Sequence, residues 1–391
     1  MSLVDPVNAF FEEEWAKRHH LEPNKLFANT EWVQDFLCGR KVPPITLEMD
    51  ITLHCNDRCP DCVQIWALQP RELSIEQIKG ILCEAKEFGI KGLTFTGGGD
   101  PLMHSRIFEV IELVRQSGLH TGIYTNGGML MVPGLAEALI STFAWVRISL
   151  DSGKNTFNLV RGHTASDAYA KRMRCVGRLA EARQKVGGQC MIGASFLTSA
   201  LVVQDILQAT KDVREAGLDY LQFKPMIKWN LATNHHGSVI MDQTGVYAAI
   251  LEASRIGRDG FRVIGSPSKY EATVLHRPRI YSQYHASWVV AAVAPNMIGP
   301  IKPTLYLECS VKYLDRWKIG EFENLTGVLA SEARRNMIKQ TSSDVYCVLP
   351  EKGVTYSHML DAVIRRNEKQ SMTNEEIRSL APELVEHPYS L

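Results

Sequence analysis

Three of the chain's nine cysteines fall within LHCNDRCPDCVQ (Leu53–Gln64), spaced Cys55-x3-Cys59-x2-Cys62. Thiolates this close together can hold a soft metal ion or an iron–sulfur cluster. Three of them leave one coordination position open, whereas a structural zinc site is normally closed by four protein ligands. Two plainer readings stand beside the cluster: a zinc ion completed by His54, in a binding protein without catalysis, or thiols that merely pack. Further along, TFTGGGDP (Thr94–Pro101) sets Gly97, Gly98 and Gly99 before Asp100. Such a run lets backbone come close to a ligand where a side chain would block it. YTNG, RISLDSG and LVRGH then contribute Thr125, Asn126, Ser149, Asp151 and Arg161 as polar groups.

These residues need a frame that brings them together. Six short segments rich in β-formers begin at Ile45, Gly92, Thr121, Trp145, Met191 and Tyr220, each bounded by turn residues. Between them lie amphipathic helices. SIEQIKGILCEAKEFG starts with the capping pair Ser74 and Gln77 and stops at Gly89. SRIFEVIELVRQSG repeats the design with Ser105 as the expected cap, and Asp205–Gly217 and Asp242–Gly257 are further helices. Six β–α units in series imply parallel strands with right-handed crossovers. The expected fold is α/β, a partial (β/α)6 TIM-like barrel with its site at the strands' C-terminal ends. Every motif above sits at such an end. The expected division is a helical lead-in over 1–44, the barrel over 45–280, and a smaller irregular α+β extension with a helical tail over 281–391.

Cys-x3-Cys-x2-Cys after the first strand of such a barrel resembles the radical S-adenosylmethionine (radical SAM) enzymes. The resemblance implies a [4Fe-4S] cluster on Cys55, Cys59 and Cys62, with S-adenosylmethionine on the remaining iron. Reductive cleavage then gives a 5′-deoxyadenosyl radical that abstracts a substrate hydrogen. It implies that the backbone of Gly97–Gly99, with Asp100 in place of the family's usual glutamate, meets the SAM ammonium. Thr125, Asn126, Ser149 and Asp151 become lining residues, and Arg161 the partner of the SAM carboxylate. An electron donor such as flavodoxin or ferredoxin is implied as well.

The last third resembles a degenerate SPASM or twitch extension, with His285 where that pattern begins with cysteine, Cys309 at the end of a β-hairpin, and Cys347 beyond. The full cysteine set of that extension is absent. A reduced auxiliary cluster on Cys309, Cys347 and His285 stands against a remnant without one. The other cysteines read as core or helix residues.

Composition excludes little beyond this. Lys+Arg and Asp+Glu both number 43, so nothing advertises a nucleic-acid partner. No apolar run could span a bilayer, and the N-terminus does not read as a secretory signal, so the expectation is a cytoplasmic protein. Residues 1–44 are short for a leader-peptide-binding domain. The expected substrate is therefore small or nucleoside-like, undergoing oxidation, epimerisation or rearrangement, with a radical peptide-modifying enzyme as the alternative. No catalytic acid, base or hydrogen donor is identifiable. Lys224, Tyr281, Tyr284, His235 and His236 are polar residues near the expected mouth.

Overall fold

The computed structural model describes residues 22–230, 239–257, 260–266, 269–271, 279–347, 351–383 and 385–391. His235, His236 and residues 1–21 of the lead-in lie outside them. All six expected strands form: β1 (Thr46–Met49), β2 (Gly92–Phe95), β3 (His120–Thr125), β4 (Trp145–Ser149), β5 (Met191–Thr198) and β6 (Tyr220–Pro225). β7 (Ile227–Lys228) and β8 (Val239–Ile240) make a small antiparallel pair of their own.

The main sheet is larger than the expected six strands. β9 (Arg262–Ile264) adds in parallel to β6, and β10 (Val290–Pro295) adds in parallel to β1 on the far side. β11 (Pro303–Tyr306) and β12 (Lys318–Glu321) follow β10 antiparallel. The order is β12-β11-β10-β1-β2-β3-β4-β5-β6-β9, so the sheet does not close into a barrel. Of the two added parallel strands, β10 was missed because the regular strand–helix alternation has ended before it, and β9, though it follows the helix Val246–Ser254, because it is only three residues long. Strands of the 281–391 segment therefore continue the same sheet that carries the cysteines.

β1 and β2 are buried along their whole length, as parallel strands covered on both faces must be. The helix Ile75–Phe88 starts with the reciprocal Ser74–Gln77 capping box and ends on Gly89 in the left-handed conformation. The next helix, Ile107–Ser117, departs from expectation at its start. Ser105 does not cap it; its backbone N–H and hydroxyl both bond the Glu72 carboxylate instead.

Two paired positions shape the inner wall. Gly122 on β3 lies beside Trp145 on β4, and Gly193 on β5 beside Tyr220 on β6. A β-carbon on Gly122 would come within 1.9 Å of the Trp145 ring, and one on Gly193 within 2.0 Å of the Tyr220 ring. Each glycine thus makes room for its neighbour's aromatic ring to lie across the sheet.

A buried ion pair ties the C-terminal segment to the first strand. Lys312 Nζ donates to Asp50 Oδ1 at 2.6 Å and to Thr96 Oγ1 at 3.0 Å, and the Tyr313 hydroxyl donates to Asp50 Oδ2. Both charged side chains are almost wholly shielded from solvent. Removing one partner strands the other charge, so Lys312→Met is expected to destabilise the fold by about 3–5 kcal/mol. Denaturant unfolding of the variant checks this.

Candidate active site

The cysteine loop leaves β1 and turns twice, with Cys62 N–H donating to the Cys59 carbonyl and Ile65 N–H to that of Cys62. All three thiols are free and partly buried. What holds the loop is Asp57, between the first two cysteines. Arg161 reaches its carboxylate from Nη2 at 2.7 Å and Nε at 3.0 Å, Arg172 from Nη2 at 2.8 Å, and His163 Nε2 lies at 2.9 Å. Burial alone would oppose ionisation of Asp57, but Arg161, Arg172 and His163 outweigh it and hold its carboxyl below the usual range. The Asp57 N–H in turn points at Cys55 Sγ, 3.4 Å away.

The glycine run packs on this loop. Gly99 N–H donates to the Thr52 carbonyl, and Asp100 N–H to that of His54. A β-carbon on Gly99 would sit 1.9 Å from the His54 carbonyl oxygen, and one on Gly98 2.4 Å from the Tyr313 hydroxyl. Close approach is required here by the protein's own chain as well as by any ligand.

The Asp100 carboxylate faces inward. It accepts from Leu102 N–H at 3.0 Å, Thr125 Oγ1 at 2.8 Å and Asn126 N–H at 2.6 Å, pinning the end of β2 to the end of β3. Burial raises its pKa against the pull of these donors. Asn126 Nδ2 bonds Asn56 Oδ1 at 2.6 Å and lies 3.8 Å from Cys55 Sγ. Asp151 adopts φ +58°, a costly conformation for a non-glycine residue, and its carboxylate meets Arg161 Nη1 at 3.1 Å.

Cys55, Cys59 and Cys62 share one pocket of about 420 Å³ with Gly97–Gly99, Asp100, Thr125, Asn126, Ser149, Asp151 and Arg161. Met226, Ile227 and Trp229 give it an apolar wall, and Lys224 borders it. His54 is not among the lining residues. Among the described residues, no three His, Cys, Asp or Glu side chains converge on a single-ion site. Three thiols spread around a roomy pocket suit a cluster larger than one metal ion, and that donor set is the one three-cysteine cluster ligation uses.

The second set of expected ligands is engaged separately. His285 Nε2 lies 2.9 Å from Asp361 Oδ1, Cys347 Sγ 3.7 Å from the Arg279 carbonyl, and Cys309 Sγ 3.8 Å from Glu308 Oε2. His285 does precede the β10–β11 hairpin and Cys309 does follow it. Tyr281 and Tyr284 belong to a buried cluster around Tyr346 and are not in the pocket lining. Sequence reasoning missed Asp57, Arg172 and His163. The one available signal was an acid set between two of the clustered cysteines.

The open, mostly parallel sheet thus places three thiols in the loop just past the end of its first strand. Residues 49–198 match the Radical SAM superfamily. It is 30% identical over 146 residues to the tungsten-containing aldehyde ferredoxin oxidoreductase cofactor-modifying protein of Pyrococcus furiosus, covering 36% of this chain and 40% of that one. It is 31% identical over 128 residues to the mycofactocin maturase MftC of Mycolicibacterium smegmatis, 32% of each chain. The matched segment thus spans less than half of either relative. Among solved structures, Streptococcus suis SuiB bound to precursor peptide SuiA superposes with TM-score 0.57 at 14% identity, over 76% of this chain and 67% of that one. anSMEcpe with bound AdoMet and Kp18Cys peptide gives 0.51 at 18%, over 76% and 83%. At such identities the likeness is one of fold. No described helix is long and apolar enough to cross a membrane.

Asp57→Asn keeps the shape of the clamp and removes its charge. The expected result is a loss of stability of about 3 kcal/mol or more, because Arg161 and Arg172 stay buried without their shared partner. Less iron per chain after reconstitution should accompany it, read by elemental analysis beside the unfolding curve.

Proposed function

We propose that the chain is a radical SAM enzyme that modifies a peptide or a peptide-derived cofactor. This departs from the small or nucleoside-like substrate expected from the sequence. The relatives by sequence are named as a maturase and a cofactor-modifying protein, and two structural neighbours were solved with peptides. The observation that carries the reading is the shared pocket of the three thiols, the glycine run and the Asp151–Arg161 pair.

When bound, the [4Fe-4S] cluster and S-adenosylmethionine supply a primary carbon radical that removes a hydrogen atom from the substrate. The chain's own residues hold and exclude. Cys55, Cys59 and Cys62 supply the ligands, and Asp57 fixes their loop. The Gly97–Gly99 backbone, Thr125, Asn126, Ser149 and Asp151 offer polar contacts to the methionine and adenosine parts. Arg161 presents a guanidinium suited to a carboxylate. Met226, Ile227 and Trp229 give the open side an apolar face against which a substrate segment can lie while water is kept out. Reduction calls for an external donor such as flavodoxin or ferredoxin.

His285, Cys309 and Cys347 keep separate partners, which favours a single cluster. Anaerobically reconstituted protein is therefore expected to hold about four irons per chain, whereas six or more would indicate a second site. With dithionite and S-adenosylmethionine it should release 5′-deoxyadenosine, and the Cys55→Ala/Cys59→Ala/Cys62→Ala variant should release none. One zinc and no iron, with no nucleoside product, would instead identify a binding protein.

A further inference from the structure

Below the thiol pocket, against the inner face of the sheet, lies a second, partly open cavity of about 140 Å³. Tyr124, Lys224 and Lys269 line both, so the two spaces adjoin. The lower one is bordered by five cationic side chains, Lys25, Arg147, Lys224, Lys269 and Lys352, and no described lining residue is Asp or Glu. Trp145 and Tyr220, the rings accommodated by Gly122 and Gly193, form part of its wall.

The local partners do not balance this charge. Among the described residues only Lys352 has a carboxylate in ion-pair range, Glu48 at 3.5 Å. Arg147 Nη1 donates to the neutral Gln222 Oε1 at 2.7 Å, and its guanidinium lies 4.2 Å above the Tyr124 ring. Lys25 donates to the Ser390 carbonyl. Glu22 and Glu351 act on Lys269, and Asp151 on Lys224, only from beyond ion-pair range. Gathering like charges in a shielded space is costly, and burial followed by neighbouring cations pulls the pKa of both Lys25 and Lys224 well down.

Unmet hydrogen-bonding capacity points into the same place. Among the described residues, Arg147 Nε, the Tyr356 hydroxyl and His387 Nε2 are buried polar atoms without a hydrogen-bond partner, and all three residues line the cavity. Tyr356 is 1% exposed, so its hydroxyl has no recourse to bulk water. Buried polar atoms are nearly always satisfied in native proteins, and each exception calls for an explanation. Excess positive charge and orphaned polar groups around one cavity call for the same missing component, an anion with several acceptor oxygens.

We propose that this cavity is an anion-binding chamber that takes a multiply charged oxyanion group of the substrate, a phosphate ester or a pair of carboxylates. A guanidinium and several ammonium groups suit that chemistry, and a bound anion would raise the proton affinity of the lysines around it. Because Tyr124, Lys224 and Lys269 border both spaces, the anchored group would hold the rest of the substrate toward the thiol pocket. The word "substrate" rests on the radical SAM reading; the binding of the anion does not.

Calorimetric titration of the reconstituted holoenzyme with inorganic pyrophosphate, inorganic phosphate and succinate tests the chamber. Saturable binding of at least one is expected, with a rise in Tm. Arg147→Gln and Lys25→Met should each weaken it by about tenfold or more. Preference for the phosphates identifies a phosphate ester, and preference for succinate a pair of carboxylates. Should either variant fail to fold, Tyr356→Phe, which deletes only the orphaned hydroxyl, should still weaken binding severalfold. No binding of any of the three anions, or affinity indifferent to all these substitutions, overturns the proposal. In the cysteine triple variant anion binding should persist while 5′-deoxyadenosine is lost. Anion indifference with nucleoside release intact would therefore sink the chamber alone, and the reverse would sink the radical chemistry alone.

Discussion

A carboxylate that cannot reach water holds the active site together. Asp57 lies inside the cysteine loop, yet every strong partner it has comes from elsewhere: Arg161 and His163 after β4, and Arg172 on the helix that follows. The desolvation of such a group is offset only while its donors stay in place, so the loop has one low-energy position. Arg161 is shared with Asp151, and Arg172 also donates to the Asn126 carbonyl. One ion cluster therefore sets the relative placement of the cysteines, the end of β3 and the end of β4. The placement of the thiols follows from charge neutrality.

The other side of the pocket is fixed by different means. Asp100 uses its carboxylate on the ends of β2 and β3, while Gly99 before it presses against the backbone of Thr52 and His54. The Asp50–Lys312–Tyr313 network then anchors the C-terminal segment behind that contact. The same Tyr313 hydroxyl that bonds Asp50 is the atom a side chain on Gly98 would strike. Sequence segments about two hundred residues apart are thus packed to one tolerance, and the extension after residue 281 is part of the site's support.

Local rules made much of this legible. The six strands and the Ser74–Gln77 capping box are short-range features, and they read correctly from a few residues at a time. Failures came where partners are distant in sequence. Ser105 looked like a cap and instead binds Glu72; Asp57 was not singled out and carries the clamp through residues more than a hundred positions on. β9 and β10 lack the repeating pattern that announces a strand, and β10 is recognisable only once β1 needs a neighbour. Of the lower chamber only Lys224 was singled out, because its five cations are scattered from Lys25 to Lys352 in a chain whose charges balance to zero.

The glycine–aromatic pairs on the inner wall have a further meaning. Because Trp145 and Tyr220 recline over Gly122 and Gly193, hollow space is left where two large rings would otherwise stand upright. The lumen's capacity is thus governed by missing methyl groups on strands that contribute no charge. Steric admission and electrostatic attraction are therefore separable traits in this scaffold, and a lineage could widen or narrow what it accepts while leaving its affinity for negative groups untouched.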